Sequence, residues 1–182
     1  THHWGGNYMK GFDVYQKLDR LVKDKYFNTK LKFTYIGNLP KNIRFLNSTH
    51  LEPLEGKNLA KELSKHHIYI TGSINEPAGM HHIEGALSGL PILYRNSGAL
   101  PEYCNGYGFK FYGDNFAPAL KKMIKNYPKI TESLKKYPFT ANKMCKEYVS
   151  LFDQLIRQRN SIISKRKIFR NPIKLFFNIL FL

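Results

Sequence analysis

Acidic side chains are scarce in this sequence. Only 13 Asp and Glu stand against 29 Lys and Arg, a formal net charge of +16. A surplus of that sign draws two classes of partner, nucleic acid and anionic membrane. A nucleic-acid motif is also lacking, so charge alone speaks for the first class, and no nucleic-acid partner is expected. Cysteine is nearly absent. Cys104 and Cys145 form no C-x-x-C pair, which excludes a disulfide scaffold and points to reduced thiols in a cytoplasmic protein. No apolar run reaches the ~20 residues a membrane-spanning helix needs. There is no internal repeat, no low-complexity stretch and no G-x-x-x-x-G-K-[ST] phosphate loop. The chain starts at Thr1 without Met or a signal-peptide pattern, and so reads as a fragment of a longer protein.

What remains is a globular composition. The 182 residues are 42% hydrophobic and 14% aromatic, enough for one domain with a real core. Strand-like and helix-like segments alternate. Thr1 to Trp4 reads as the end of a strand, Gly5-Gly6-Asn7 as a turn, and a helix from about Tyr8 carries Phe12, Tyr15, Leu18 and Val22 on one face. Strands are expected at Leu31 to Ile36, Ile43 to Leu46, His67 to Thr71, Pro91 to Arg95 and Phe109 to Tyr112. Helices are expected at Asn58 to Lys65, from Gly79 through Leu87, at Asn115 to Tyr127 and from Thr140 to about Gln158. The last has Met144, Tyr148, Leu151 and Leu155 as an apolar stripe, the pattern of a core-facing helix. This alternation predicts an α/β fold, a Rossmann-like open parallel sheet with helices on both faces. Residues 1–156 form the domain and residues 157–182 a basic, apolar tail.

The stretch HIYITGSINEPAGMHHIEGALSGLPILYRNSGALPEY, residues 67–103, carries the chemistry. It is a strand, a glycine-containing loop, a helix and a second strand, with the loop at the carboxyl end of the first strand. Glu76 lies in the loop and Glu84 on the helix, with seven residues between them. The free amides of Gly79, Met80 and His81 sit between the two carboxylates, at the positive end of the helix dipole. Such an end binds a phosphate. A ligand with phosphate in its middle and hydroxyl-rich groups at both ends fits all three features, and a nucleotide-sugar is such a ligand. The seven histidines include the pairs His2-His3, His66-His67 and His81-His82. Adjacent residues point in different directions and make poor chelators, so no metal site is expected. His67 reads as a core residue, and so do Ile83, Leu87 and Ile92. Of His81 and His82, one fits as a donor to the ligand and the other as a packed residue.

EPAGMHHIEGALSGLP resembles the Glu-x7-Glu segment of retaining GT-B glycosyltransferases, above all their family 4, whose pattern is like E-P-x-G-x-x-x-x-E-A-x-A-x-G-x-P. Glu76, Pro77, Gly79, Glu84, Ala86, Gly89 and Pro91 match, and Gly85 stands where Ala is usual. Gly98 and Glu102 resemble the family's G-x-x-x-E segment, though Glu102 also fits a plain helix cap. Lys10-Gly11 resembles the Lys-Gly pair after the first strand of the donor domain. The arginine that often precedes that lysine is replaced here by Trp4 and the His2-His3 pair.

The resemblance runs from about Thr1 to Leu155 and implies the C-terminal, donor-binding half of a GT-B fold, with the N-terminal acceptor domain missing. It implies a metal-independent, retaining hexosyltransferase with no cofactor beyond its nucleoside-diphosphate sugar. Catalytic roles fall to Glu76, toward the transferred sugar, and to Lys10, toward the diphosphate. Substrate binding falls to Glu84, toward the ribose, and to Gly79, Met80 and His81. The acceptor would be a glycan or a lipid-linked glycan. A degenerate transferase that only binds the nucleotide-sugar is the alternative. Outside this context Lys10 would read as a solvated residue, Glu76 as a helix-start residue and Glu84 as a surface carboxylate.

After Asp153 there is no acidic residue, and Arg157, Arg159, Lys165, Arg166, Lys167, Arg170 and Lys174 follow among isoleucines, leucines and phenylalanines. Such a tail fits a segment lying in an anionic membrane surface, on the inner face of the membrane. It fits equally a final helix that packs on the missing domain.

Overall fold

The computed structural model describes residues 1–166 together with Ile173 and Phe176. The elements in order are β1 (His2–His3), a 3-10 turn (Tyr8–Lys10), α1 (Phe12–Leu21), β2 (Thr34–Gly37), β3 (Thr49–Leu51), α2 (Gly56–Leu63), β4 (Tyr69–Thr71) and α3 (His81–Leu87). Then come β5 (Ile92–Arg95), α4 (Leu100–Cys104), β6 (Gly108–Phe111), α5 (Phe116–Lys125), α6 (Tyr127–Leu134), α7 (Ala141–Arg157) and α8 (Arg159–Lys165). The chain divides into two compact units, Thr1–Pro138 and Phe139–Leu182.

All strand pairs of the first unit are parallel, as the alternation of strands and helices requires. Ladder hydrogen bonds join them in two groups, β1-β2-β3 and β4-β5-β6. The single sheet expected is therefore two short three-stranded ones. They share one core. Phe12, Tyr15 and Leu18 of α1 meet Tyr35 of β2, Ile70 of β4, Leu93 of β5, Phe111 of β6 and Phe116 and Leu120 of α5. The α1 residues recur at three- and four-residue spacing, so one face of the helix is apolar and turns inward.

Several boundaries differ from expectation, each for a local reason. The first helix does not run on from Tyr8. Gly11 adopts φ +83°, ending the 3-10 turn and starting α1. A Cβ there would lie 2.1 Å from the Gly72 carbonyl oxygen, so two loops touch backbone to backbone at this point. The strand expected at Ile43 to Leu46 is a loop, and β3 forms only from Thr49. The cause is Asp19, buried on α1, whose carboxylate accepts from the amides of Leu46 (3.0 Å) and Asn47 (2.9 Å). Amides held by a side chain are lost to a ladder. α3 starts at His81 rather than near Gly79, and α4 and α6 are additional.

Three residues read as core are not. His67 and Leu87 are exposed, and Ile83 is only half-buried. The stripe on α7 is also uncovered. Met144, Tyr148, Leu151 and Leu155 are all exposed, and α7 buries none of its residues. Amphipathic spacing specifies a face that wants cover, not what covers it. Of the tail expected over residues 157–182, most lies outside the described residues. Among the described residues no helix is long and apolar enough to cross a membrane.

Candidate functional site

Two loops build the site, one after β1 and one after β4. Their backbones are tied together. The Ile74 amide donates to the Met9 carbonyl at 2.8 Å, and the Gly72 amide donates to the Tyr15 hydroxyl at 3.0 Å. Lys10 closes the first loop and Glu76 sits in the second. Their side chains meet, Lys10 Nζ lying 3.1 Å from Glu76 Oε2. Sixty-six residues of sequence separate the pair, so folding alone makes it.

Glu76 is held on the backbone side as well. The Ala99 amide donates to its carbonyl at 2.8 Å. Gly98 runs beneath it at φ +58°, where a Cβ would fall 2.4 Å from the Glu76 carbonyl oxygen. Asn75, just before, takes φ +50° and gives its amide to Ser97 Oγ at 2.8 Å. The Gly98 motif thus shapes the loop that presents Glu76. Glu102 lies in the first turn of α4 and is exposed.

Gly79 comes next. A Cβ on it would lie 2.8 Å from both Glu76 Cδ and the His81 ring. Any larger residue would push those two apart. The amides of Gly79, Met80 and His81 have no hydrogen-bond acceptor among the described residues, as expected at a helix start. The Met80 side chain is exposed. The His81 ring turns inward instead, with Nε2 at 2.9 Å from Thr71 Oγ1. Its side chain is engaged by the protein, and its amide stays open. His82 is buried too, and neither of its ring nitrogens has a hydrogen-bond partner among the described residues.

Glu84 stands on α3 with its carboxylate half exposed, and His2 Nε2 lies 2.8 Å from its Oε2. The His2 ring in turn sits 6.4 Å, centroid to centroid, from that of His81. Lys10, Glu76, Gly79, His81, His2 and Glu84 are therefore one unbroken chain of neighbours. Every residue singled out in the sequence for catalysis or substrate binding lies along it or supplies one of the open amides. The sequence missed the partners: His2 for Glu84, Thr71 for His81, Tyr15 for Gly72. A histidine pair at the end of a strand gives no signal of what its rings will touch.

No protein-family model and no curated protein matches the sequence. Solved structures do. The catalytic domain of starch synthase IV from Arabidopsis thaliana, bound to ADP and acarbose, is similar with a TM-score of 0.62 at 16% identity, over 85% of this chain and 37% of that one. The pneumococcal O-GlcNAc transferase GtfA, in complex with UDP and GlcNAc, gives 0.63 at 13% identity, over 82% and 34%. TarM gives 0.59 at 16% identity, over 83% and 34%. The chain has the fold of a GT-B glycosyltransferase domain. It spans about a third of the length of those structures.

The electrostatics of this GT-B domain follow from burial. Burial pushes the imidazoles of His3 and His81 well below their ordinary range, and the neighbouring histidines and Lys10 push the same way. Burial takes His82 to about 4, against the opposing pull of Glu76. The three rings are neutral at pH 7. Lys10 supplies a cation to the site, and the row of open amides adds partial positive charge. Among the described residues no three His, Cys, Asp or Glu are grouped to hold a metal ion.

Proposed function

We propose that this chain is the donor-binding domain of a retaining glycosyltransferase that takes a nucleoside-diphosphate sugar. One observation carries the reading. The Lys10 ammonium and the Glu76 carboxylate lie 3.1 Å apart beside the open amides of Gly79 to His81. A cation and free amides suit a diphosphate, and carboxylates on either side suit sugar hydroxyls. Lys10 and the amides would hold the diphosphate and stabilise the charge that develops on the leaving group. Glu76 would hold hydroxyls of the transferred hexose, and Glu84 those of the ribose. Two of the similar structures hold a nucleoside diphosphate, ADP in one and UDP in the other. In this reading Lys10 and the amides do the work a metal would otherwise do, and no cofactor is needed. The acceptor, a glycan or a lipid-linked glycan, and any catalytic group facing it belong to residues outside this chain. The chain on its own would bind donor and turn over poorly.

Titration calorimetry with ADP-, GDP- and UDP-sugars tests the reading. One of them should bind, and Lys10→Ala and Glu84→Ala should each weaken it at least about tenfold, the loss of one charge-assisted contact. Absence of binding across the panel, or variants that bind like wild type, sinks it. Binding without transfer by the whole protein would instead mark a degenerate transferase.

A further inference from the structure

Glu84 is reached by a directed series of hydrogen bonds from the strand on the other side of the site. The His2 amide donates to the Tyr69 hydroxyl at 3.1 Å. That hydroxyl lies 3.1 Å from His2 Nδ1, and His2 Nε2 lies 2.8 Å from Glu84 Oε2. A carboxylate only accepts, so the proton sits on Nε2. In the neutral ring Nδ1 then accepts from the Tyr69 hydroxyl, whose one proton also has the His2 carbonyl oxygen within reach at 3.3 Å. Amide, phenol and imidazole then donate in one direction, and the series ends on the carboxylate, which accepts. The chain is also rigid. Tyr69 and His2 are buried, and the Tyr69 ring is wedged against α3, where a Cβ on Gly85 would lie 2.4 Å from it. A side chain at position 85 would collide with that ring, so glycine suits the position. Burial holds the Tyr69 hydroxyl protonated, and the His2 hydrogen bond holds the Glu84 carboxyl below its ordinary range.

We propose that His2 is a positioning residue for Glu84, and that the Tyr69–His2–Glu84 chain sets the domain's selectivity for a ribose diol over a deoxyribose. The inference rests on the reading of Glu84 as the ribose-binding carboxylate. A glutamate on a solvated helix face samples several rotamers, and ordering it costs binding free energy. His2 holds one oxygen in advance. Oε1 has no hydrogen bond among the described residues, and Glu84 keeps nearly half its side chain exposed. The pre-set carboxylate therefore meets vicinal hydroxyls in one orientation. A sugar lacking those hydroxyls leaves Oε1 without that donor.

The experiment uses whichever of ADP, GDP and UDP wild type binds most tightly, with its 2′,3′-dideoxy analogue, on wild type, His2→Ala, Tyr69→Phe, Glu84→Ala and the double variant His2→Ala/Glu84→Ala. His2→Ala should weaken the ribonucleotide about tenfold and leave the dideoxy analogue unchanged. Tyr69→Phe should act in the same direction by less. The double variant should bind like Glu84→Ala alone, since the two residues act as one unit. Tyr69→Phe removes one oxygen from a ring that stays in place, so it answers the question even where His2→Ala fails to fold. Equal losses for both nucleotides, or additive losses in the double variant, overturn the positioning role while leaving the donor reading intact. If wild type binds no nucleoside diphosphate, both fall together.

Discussion

At the scale of single residues, the site depends on small side chains as much as on charged ones. Gly98 has φ +58° and lies against the backbone of Glu76. Gly98→Ala would meet two costs, the left-handed conformation and a collision with backbone that is itself hydrogen-bonded to Ala99. We expect about 2 kcal/mol of lost stability, read from urea unfolding, and a clear loss of donor affinity because Glu76 is displaced. A variant that binds donor like wild type would show that Glu76 does not need this loop geometry. The residues of the site were largely legible in the sequence. Glu76, Gly79, Glu84, Gly98 and Lys10 stand in motif spacing, and spacing along a strand–loop–helix unit translates directly into position. Their partners were not legible. Tyr69 and His2 are 67 residues apart, and nothing local announces that a tyrosine at the start of one strand will meet a histidine at the start of another.

At the scale of elements, periodicity found helices α1, α2, α3, α5 and α7 and strands β2, β4, β5 and β6 within a few residues. One kind of miss comes from a side chain or a glycine that took over backbone hydrogen bonding. Asp19 is the clearest. Burial alone would raise its carboxyl, but hydrogen bonds from the Leu46 and Asn47 amides and from the Asn47 side chain outweigh it and hold the group below its ordinary value. Asp19→Ala would orphan two amides, of which that of Leu46 lies in the segment expected to be a strand. The expected cost is about 2 kcal/mol, with faster hydrogen exchange at Leu46 and Asn47. Exchange at those amides that stays at the wild-type rate would mean that the loop holds itself. Residues 100–104 and 127–134 were missed as helices because both are short and start at or beside proline, where sequence shows a break more plainly than a beginning.

At the scale of the whole molecule, the buried histidines make the fold sensitive to acid. His3, His81 and His82 are neutral when folded and have lowered pKa values, so the unfolded chain binds more protons as pH falls below about 6.5. The stability they contribute is complete above that pH and is lost on going down, over the range to about 4 for His82. Urea midpoints measured from pH 8 to pH 5 should therefore fall, by up to ~1.4 kcal/mol per pH unit for each histidine, and His82→Leu should flatten the slope. A midpoint that rises toward pH 5 would contradict the burial of these rings. The surplus of positive charge acts outward. Deleting residues 160–182 should lower binding to anionic vesicles at low salt, at about 1 kcal/mol per cation removed from the surface, and leave donor affinity unchanged. Equal sedimentation with and without the tail would end the membrane reading. The junction between the two three-stranded sheets has a mechanical consequence. No ladder spans it; side chains and loop contacts do, Tyr15 to Gly72, His2 to Tyr69 and Lys10 to Glu76. A donor that gripped Lys10 on one side and Glu76 on the other would be a cross-brace over that line. Its occupancy at 100 times its Kd would add about 2.7 kcal/mol against unfolding, and the amides of β1 and β4, on the two banks of that line, are where slowed exchange would report it first.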